Sequence, residues 1–563
     1  MLDSLAVERQ RGITIKAQTV SLLHTDEASG ELYLINLIDT PGHVDFSYEV
    51  SRSIAACQGA LLLVDATKGV QAQTVANFFL AFEQELTIVP VVNKVDLPHA
   101  ELDSTLEQIA TAFDVETDDA MAISAKTGVG CDAILPAIIS RMPPPVARAD
   151  APLRLLLFDA WYDDFRGVLC LVQVLDGRLD KGAELVSAAT GSRHAVQSIE
   201  LMRPLHPVEQ PHVGPGHVAC VALGMKSIDE ANVGDTLSKA TNPQPALPGF
   251  RRPQPMVFAG LFPMDGDGFE GLQHAMARFR LKDGSISVEN TQSGTLGRGL
   301  RCGFLGMLHM EVVQQRLLEE HACDVIVTAP TVPLQATMKD GSTRAVLSPD
   351  ELADISADVS LLTEPLVTVT LLSPSTYAGD LISLCEQRGG EQLEFSFLGS
   401  DRALLRYRLP LAEIATEFHD RVKTISSGFA SLDYEAAGDQ PADVVPLALK
   451  VNGQPVDALT RIVRRNKSVT LGRDMVETLQ KEMARQVYEI VLQACVGSTV
   501  VARETIRAVR KNVLAKCYGG DISRKKKLLQ KQKDGKKRRA LTVGEVTIPQ
   551  KALTAVLSPS TRK

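Results

Sequence analysis

The chain has 563 residues, 45% hydrophobic and 23% charged, which is enough for several domains and excludes a wholly disordered protein. It has no uninterrupted apolar stretch long enough to cross a bilayer, so any membrane contact is expected to be peripheral. The formal charge of −9 hides an asymmetry: Arg503 to Arg539 carries fifteen Lys or Arg against three acids, a surplus of about 12 that leaves about −21 elsewhere.

Nine cysteines are scattered along the chain with no Cys-x-x-Cys pair, which points to reduced thiols in an intracellular protein and argues against zinc. Met1 is followed by neither an apolar signal core nor an Arg/Ser-rich amphipathic presequence. The start therefore says nothing about targeting, or is not the natural start.

Glu8 to Ile15 follows a short helical opening and leads into a strand over Ala17 to Leu23. Its Gly12-Ile13-Thr14 step suits a switch loop, in which the Thr14 hydroxyl would ligate Mg²⁺ and its amide would meet a γ-phosphate. Asp26 to Gly30 reads as a turn and Glu31 to Ile38 as a strand. The apolar run Leu34, Ile35, Leu37 and Ile38 suggests a buried strand of a parallel sheet, with Asp39 emerging at the carboxyl edge where such sheets bind ligands. An acid there can hold Mg²⁺ through water. In Asp39-Thr40-Pro41-Gly42-His43, Pro41 fixes a backbone angle, Gly42 lets its amide approach a terminal phosphate, and His43 is placed to reach the attacking atom.

Ser47 to Cys57 reads as a helix, Ala60 to Val64 as a strand ending at Asp65, Val70 to Phe82 as a helix and Leu86 to Val92 as a strand. That strand runs into Asn93-Lys94-Val95-Asp96, the most specific signal in the chain. The Asp96 carboxylate can accept two parallel hydrogen bonds from adjacent donors on guanine, Asn93 can accept and donate, and the Lys94 stem can lie against the base. Adenine would leave the carboxylate unpaired, at about 1–3 kcal/mol or more. A further strand at Met121 to Ile123 precedes Ser124-Ala125-Lys126, where the Ala125 amide would donate to the guanine carbonyl.

These motifs together resemble those of a translational GTPase. The resemblance implies that His43 orients the attacking water on the ribosome, that Ile13 screens it beforehand, and that GTP and Mg²⁺ are the substrate and cofactor. One expected part is missing. The Gly-x-x-x-x-Gly-Lys-[Ser/Thr] loop that cradles the β- and γ-phosphates occurs nowhere in the 563 residues, although the motif order places it before Thr14. A fragment or mispredicted start, a genuine short isoform, and a GTPase that lost nucleotide binding are the three readings. The intact downstream motifs favour the first.

Met142-Pro143-Pro144-Pro145 closes an N-terminally incomplete, truncated P-loop GTPase domain over 1–147. Short apolar runs and turn signals at Asp176-Gly177, Lys181-Gly182 and Pro215-Gly216 predict a small β-barrel domain over 148–245. Met256 to Phe262, Ser285 to Glu289 and Val325 to Ala329 read as strands, with helices over Phe269 to Leu281 and Gly303 to Glu320. They make a split α/β sandwich module over 253–335, and Glu364 to Ser426 repeats the pattern in a second over 360–440. The fold class is thus multidomain, α/β and α+β. Cys302 and His309 are read as helix-entry and packing residues rather than a thiol–histidine site.

The last domain, 445–563, contains a strand-like run over Gln486 to Gly497, a basic helix over Glu504 to Lys516, and a basic tail. Arg524, Lys525, Lys526, Lys527, Lys536, Lys537, Arg538 and Arg539 are the candidate RNA-contacting residues, since this sign imbalance suits phosphates; Tyr518 is the only aromatic among them. Cys517-Tyr518-Gly519-Gly520-Asp521-Ile522-Ser523-Arg524-Lys525 and Val451-Asn452-Gly453-Gln454-Pro455-Val456-Asp457 resemble the LepA, or elongation factor 4, family across the whole chain. Val75 to Phe82 and Ser426 to Tyr434 look closer to its mitochondrial form. The resemblance implies a ribosome-binding GTPase that meets rRNA and tRNA and moves mistranslocated tRNAs back by one codon, peripheral on the matrix side of the mitochondrial inner membrane; cytoplasm or plastid is the alternative site. A non-catalytic ribosome- or RNA-binding protein is the competing reading.

Overall fold

The computed structural model describes residues 5–557 apart from 28, 147, 164, 226, 248–253, 265–267, 399–400, 416–417, 487, 510–521, 524 and 532–547. After a short helix, Ala6–Arg11, the chain forms an antiparallel hairpin of β1, Gln18–Thr25, and β2, Leu32–Asp39, in register from Gln18 opposite Asp39 to Thr25 opposite Leu32. The turn between them is built locally: the Asp26 carboxylate accepts from the Ser29 amide and hydroxyl, and Gly30 takes the left-handed φ of 70° that closes it.

Then come β3, Gly59–Asp65, β4, Thr87–Asn93, and β5, Met121–Ala122, which pair in parallel in that order. Helices α1, Ala72–Glu83, and α2, Leu102–Phe113, cover one face, where Phe78 stacks on Phe113 at 4.2 Å over a core of Leu62, Val64, Val92 and Ile109. The expected place of β2 in this parallel sheet is corrected: among the described residues, β2 pairs with β1 and β3 with β4, in separate sheets. The apolar run that suggested two-sided burial is instead packed sideways, Leu34 and Ile38 against the next domain. A short turn makes the antiparallel pairing local and cheap in chain entropy.

That next domain is an eight-stranded antiparallel sheet from Arg154–Asp163 to Thr236–Lys239 around Leu155, Leu157, Val172, Val174, Ile199 and Val221. The hairpin docks on it through the Ser21 amide to the Met202 carbonyl, 2.6 Å, and Asn36 Nδ2 to the Gly216 carbonyl, 3.3 Å.

A four-stranded antiparallel sheet follows, ordered Ser287–Ser293, Gly297–Phe304, Val257–Pro263, Val325–Val327, with helices Phe269–Lys282 and Met307–His321 against it. The helix expected from Gly303 begins at Met307, and Cys302 is a buried strand residue rather than a helix entry. Burial pushes its thiol up to about 12. The next sheet is centred on the 16-residue strand Val359–Pro374, flanked by Arg402–Pro410 and Ser431–Pro441. Leu411–Ile414 and Phe418–Ile425 are helical.

The final sheet runs Gln454–Arg464, Val444–Val451, Ile490–Val496, Thr499–Ile506, backed by helices Ser468–Glu482 and Gln550–Leu557. Leu447, Leu449, Val476 and Leu479 are buried there, each worth about 1.5–3 kcal/mol of transfer energy. The basic helix expected from Glu504 is corrected: Glu504 to Ile506 end a hairpin strand that turns at Gly497, because Val500, Val501, Thr505 and Ile506 are β-branched. Residues 510–516 of that expectation lie outside the described residues. This domain is tied to the preceding one by charges: Glu413 accepts from Arg388 and Lys467, and Arg464 pairs with the buried Glu364.

Candidate guanine-nucleotide site

The parallel sheet sets Asp65 directly beside Asn93 at the carboxyl ends of β3 and β4. From there the two loops are joined by side chains. Asn93 Oδ1 accepts from the Lys94 amide at 2.7 Å and from the Ala125 amide at 3.0 Å, while Asp96 Oδ1 accepts from the fully buried Ser124 hydroxyl at 2.6 Å. Asp96 is thereby fixed in rotation by one oxygen. The Ala125 amide, expected to meet the base, here locks its loop to Asn93.

Lys94 sits at a left-handed φ of 68°, and its ammonium reaches Asp65 Oδ2 at 2.7 Å. Burial alone would raise the Asp65 pKa, but hydrogen bonds from Lys94 and Thr67 outweigh it and hold the carboxylate below its usual range. The sequence marks Asp65 only as a strand end; its register with Asn93 is the signal that it belongs to the site. The Val95 amide donates to the carbonyl of Ile123, just past β5, at 3.3 Å, and Lys126 is exposed.

The phosphate-facing candidates lie on the hairpin. Asp39 ends β2 opposite Gln18, four residues beyond Thr14, so both candidate metal ligands come to one end of the hairpin. A hydroxyl and a carboxylate are hard oxygen donors that suit Mg²⁺, with phosphates and water completing its shell. No cluster of three or more His, Cys, Asp or Glu side chains of metal-binding kind occurs among the described residues. Thr40 is half-buried, Pro41 buried and Gly42 exposed.

His43 caps the single turn Val44–Phe46: its Nδ1 accepts the Asp45 amide proton at 3.2 Å. Burial pulls its pKa below the usual value, opposed by Asp45 and aided by Lys423. The ring is therefore neutral at pH 7, and because Nδ1 accepts, the one ring proton sits on Nε2. His419 meets it edge-on, with ring centres 6.2 Å apart.

The candidate base-facing residues are thus gathered in one cluster, and the candidate phosphate-facing residues in another on a separate sheet. A cavity of about 1170 Å³ behind the His43 turn is lined by Phe46, Arg52, Trp161 and His309 and by none of Asn93, Asp96 or Ser124. In the tail, Lys525, Lys526 and Lys527 lie on helical backbone, the last two exposed. Arg524, Lys536, Lys537, Arg538 and Arg539 fall outside the described residues. No described helix is long and apolar enough to cross a membrane.

Comparison with known proteins bears on both ends of the chain. Residues 1–144 match the elongation factor Tu GTP-binding domain, 361–448 the elongation factor G C-terminus, and 451–558 the GTP-binding protein LepA C-terminus. The mitochondrial translation factor GUF1 homolog of Sorghum bicolor is 50% identical over 569 residues, covering 100% of this chain and 85% of that protein. Elongation factor 4 of Sorangium cellulosum is 46% identical over 557 residues, covering 99% and 92%. A Thermus thermophilus crystal structure, titled ttk003000868, aligns with a TM-score of 0.53 at 17% identity over 78% of this chain and 91% of that one, a likeness of fold.

Proposed function

This chain belongs to the LepA / elongation factor 4 family of translational GTPases, and from that premise we propose that its hydrolytic residue is His43, acting on the ribosome as a water-positioning group. The observation that carries the reading is the hydrogen bond from the Asp45 amide to His43 Nδ1. A neutral ring with its proton on Nε2 donates to a lone pair of the attacking water and holds it in line, without removing its proton. Gly42 offers its amide to the γ-phosphate. Thr14 and Asp39 would hold Mg²⁺, which when bound neutralises phosphate charge. Asn93, Lys94 and Asp96, braced by Ser124 and Ala125, select guanine.

The basic C-terminal stretch, Lys525 to Lys527 included, contacts rRNA through phosphates. The names of the plant relatives support action on the mitochondrial ribosome. Back-translocation of tRNA by one codon and a peripheral position on the inner membrane rest on the family resemblance alone. Because the 563 residues contain no phosphate-loop pattern, hydrolysis assays are made with that loop supplied. His43→Ala should then lower ribosome-stimulated turnover by about 10²-fold or more while GTP affinity stays within about twofold. Full stimulated turnover in the variant would remove His43 from this role.

A further inference from the structure

Asp45 stands two residues after His43 and enters the chemistry above only through its amide, yet its side chain is only 2% exposed. Its partners come from two other domains. Oδ2 accepts the His309 amide proton at 3.2 Å across 264 residues of sequence, and Oδ1 accepts the Tyr434 hydroxyl at 2.9 Å across 389. His309 lies in the first turn of the Met307–His321 helix, whose leading amides have no partner within the helix. The residue at the cap position is Gly306, which has no side chain to offer. Asp45 fills that role from another domain, with its charge at the favourable end of the helix dipole.

The approach depends on the glycine, since a Cβ at Gly306 would collide with the Asp45 carboxylate. Tyr434 holds its proton firmly, as burial and Asp45 both raise its pKa. The neighbours reinforce the contact: Phe46 packs edge-on against the His309 ring at 6.0 Å, and His309 Nδ1 accepts from the Leu305 amide at 3.1 Å. The same residue that reaches both domains also donates its amide to His43 Nδ1.

We propose that Asp45 is a positioning residue, an interdomain helix cap that fixes the orientation of His43 when the 257–327 and 359–441 domains are seated on its turn. The inference rests on the reading of His43 as the water-positioning group. If either domain moves away, the carboxylate loses a buried partner, the turn relaxes around it, and the imidazole is no longer held in one tautomer and direction. Hydrolysis is then coupled to domain seating through a single side chain.

The test uses the 563-residue chain without nucleotide and reads amide exchange at His309 and the ring ¹⁵N shifts of His43. Wild type should show a protected His309 amide and a single Nε2–H tautomer. In Asp45→Ala, exchange at His309 should rise about tenfold, the worth of a helix cap, and the His43 shifts should move to a tautomer average. Asp45→Asn keeps the shape and should fall between, and Tyr434→Phe should move both readouts in the same direction by a few-fold. Should Asp45→Ala unfold, Tyr434→Phe and Asp45→Asn carry the test. Unchanged His309 exchange in these variants would show that there is no cap; faster exchange with unchanged His43 shifts would show that the cap positions nothing. Either result overturns the proposal without touching the turnover assay of His43→Ala, whose failure would in turn leave the cap in place.

Discussion

The guanine-facing loops and the histidine turn both hold a polar group in one direction, but they draw their supports from opposite distances along the chain. Asn93 and Asp96 are fixed by Ala125 and Ser124, some thirty residues away in the loop that follows an adjacent strand of one small sheet. The His43 turn hangs on a two-stranded hairpin and is fixed through Asp45 by residues 264 and 389 positions on. The side-chain bonds that brace the proposed base-recognition loops are made inside one domain and should survive rearrangement of the others. Those that brace the proposed hydrolytic turn are made across domains and should not.

The comparison can be broken from either side. The hairpin end is tested at Asp39. With the phosphate loop supplied, Asp39→Ala should weaken the Mg²⁺ dependence of nucleotide binding by about 10–100-fold, read by titrating the metal at fixed GTP. An unchanged Mg²⁺ requirement would separate the hairpin end from metal binding.

Next is Asp433, which neighbours the interdomain cap and whose pKa is pushed up to about 7 by burial, with Glu435 and Asp45 adding to it. Its folded value lies above its unfolded one near 4, so the folded state binds more protons through that window and loses stability as pH rises from about 4 to 7. Asp433→Asn should therefore gain up to about 4 kcal/mol at pH 8 and almost nothing at pH 4, measured by denaturant unfolding at both values. An equal gain at both would mean that the acid is not strained at this interface.

Ser124→Ala, which removes one charge-assisted hydrogen bond from Asp96, should weaken GTP binding by about tenfold and leave turnover at saturating GTP nearly intact. A fall in turnover instead would mean that the two halves are coupled after all. The smallest effect is expected in the tail. Replacing Lys525, Lys526 and Lys527 by alanine should reduce the salt slope of ribosome binding by about 2–3, with nucleotide affinity unchanged.

What could be read from the sequence follows the same division. The loops at Asn93 to Asp96 and Ser124 to Lys126 are contiguous, and strand ends announce them, so both motifs and their sheet were legible. Asp65 was half legible, as a strand end whose partner register was still unknown. Asp45 was not, because nothing near it marks it as a cap: the missing side chain is that of Gly306, and the hydroxyl belongs to Tyr434. The Gly297–Phe304 strand was hidden by Gly299 and Gly303, which leave gaps in its alternation where Phe262 and Phe258 crowd in. The position of β2 was misjudged because an apolar run reports burial and says nothing about which surface does the burying.

The most direct measurement of the central claim, that this chain selects guanine through a locally built site, is the relative affinity for guanosine and xanthosine triphosphates in wild type and Asp96→Asn, with the phosphate loop supplied. Xanthine carries a carbonyl where guanine carries an amino group, so an amide at position 96 should donate where the carboxylate accepted. Wild type should prefer the guanine nucleotide by about 10²-fold or more, and the variant should reverse that preference. A variant that still prefers guanine would contradict the account.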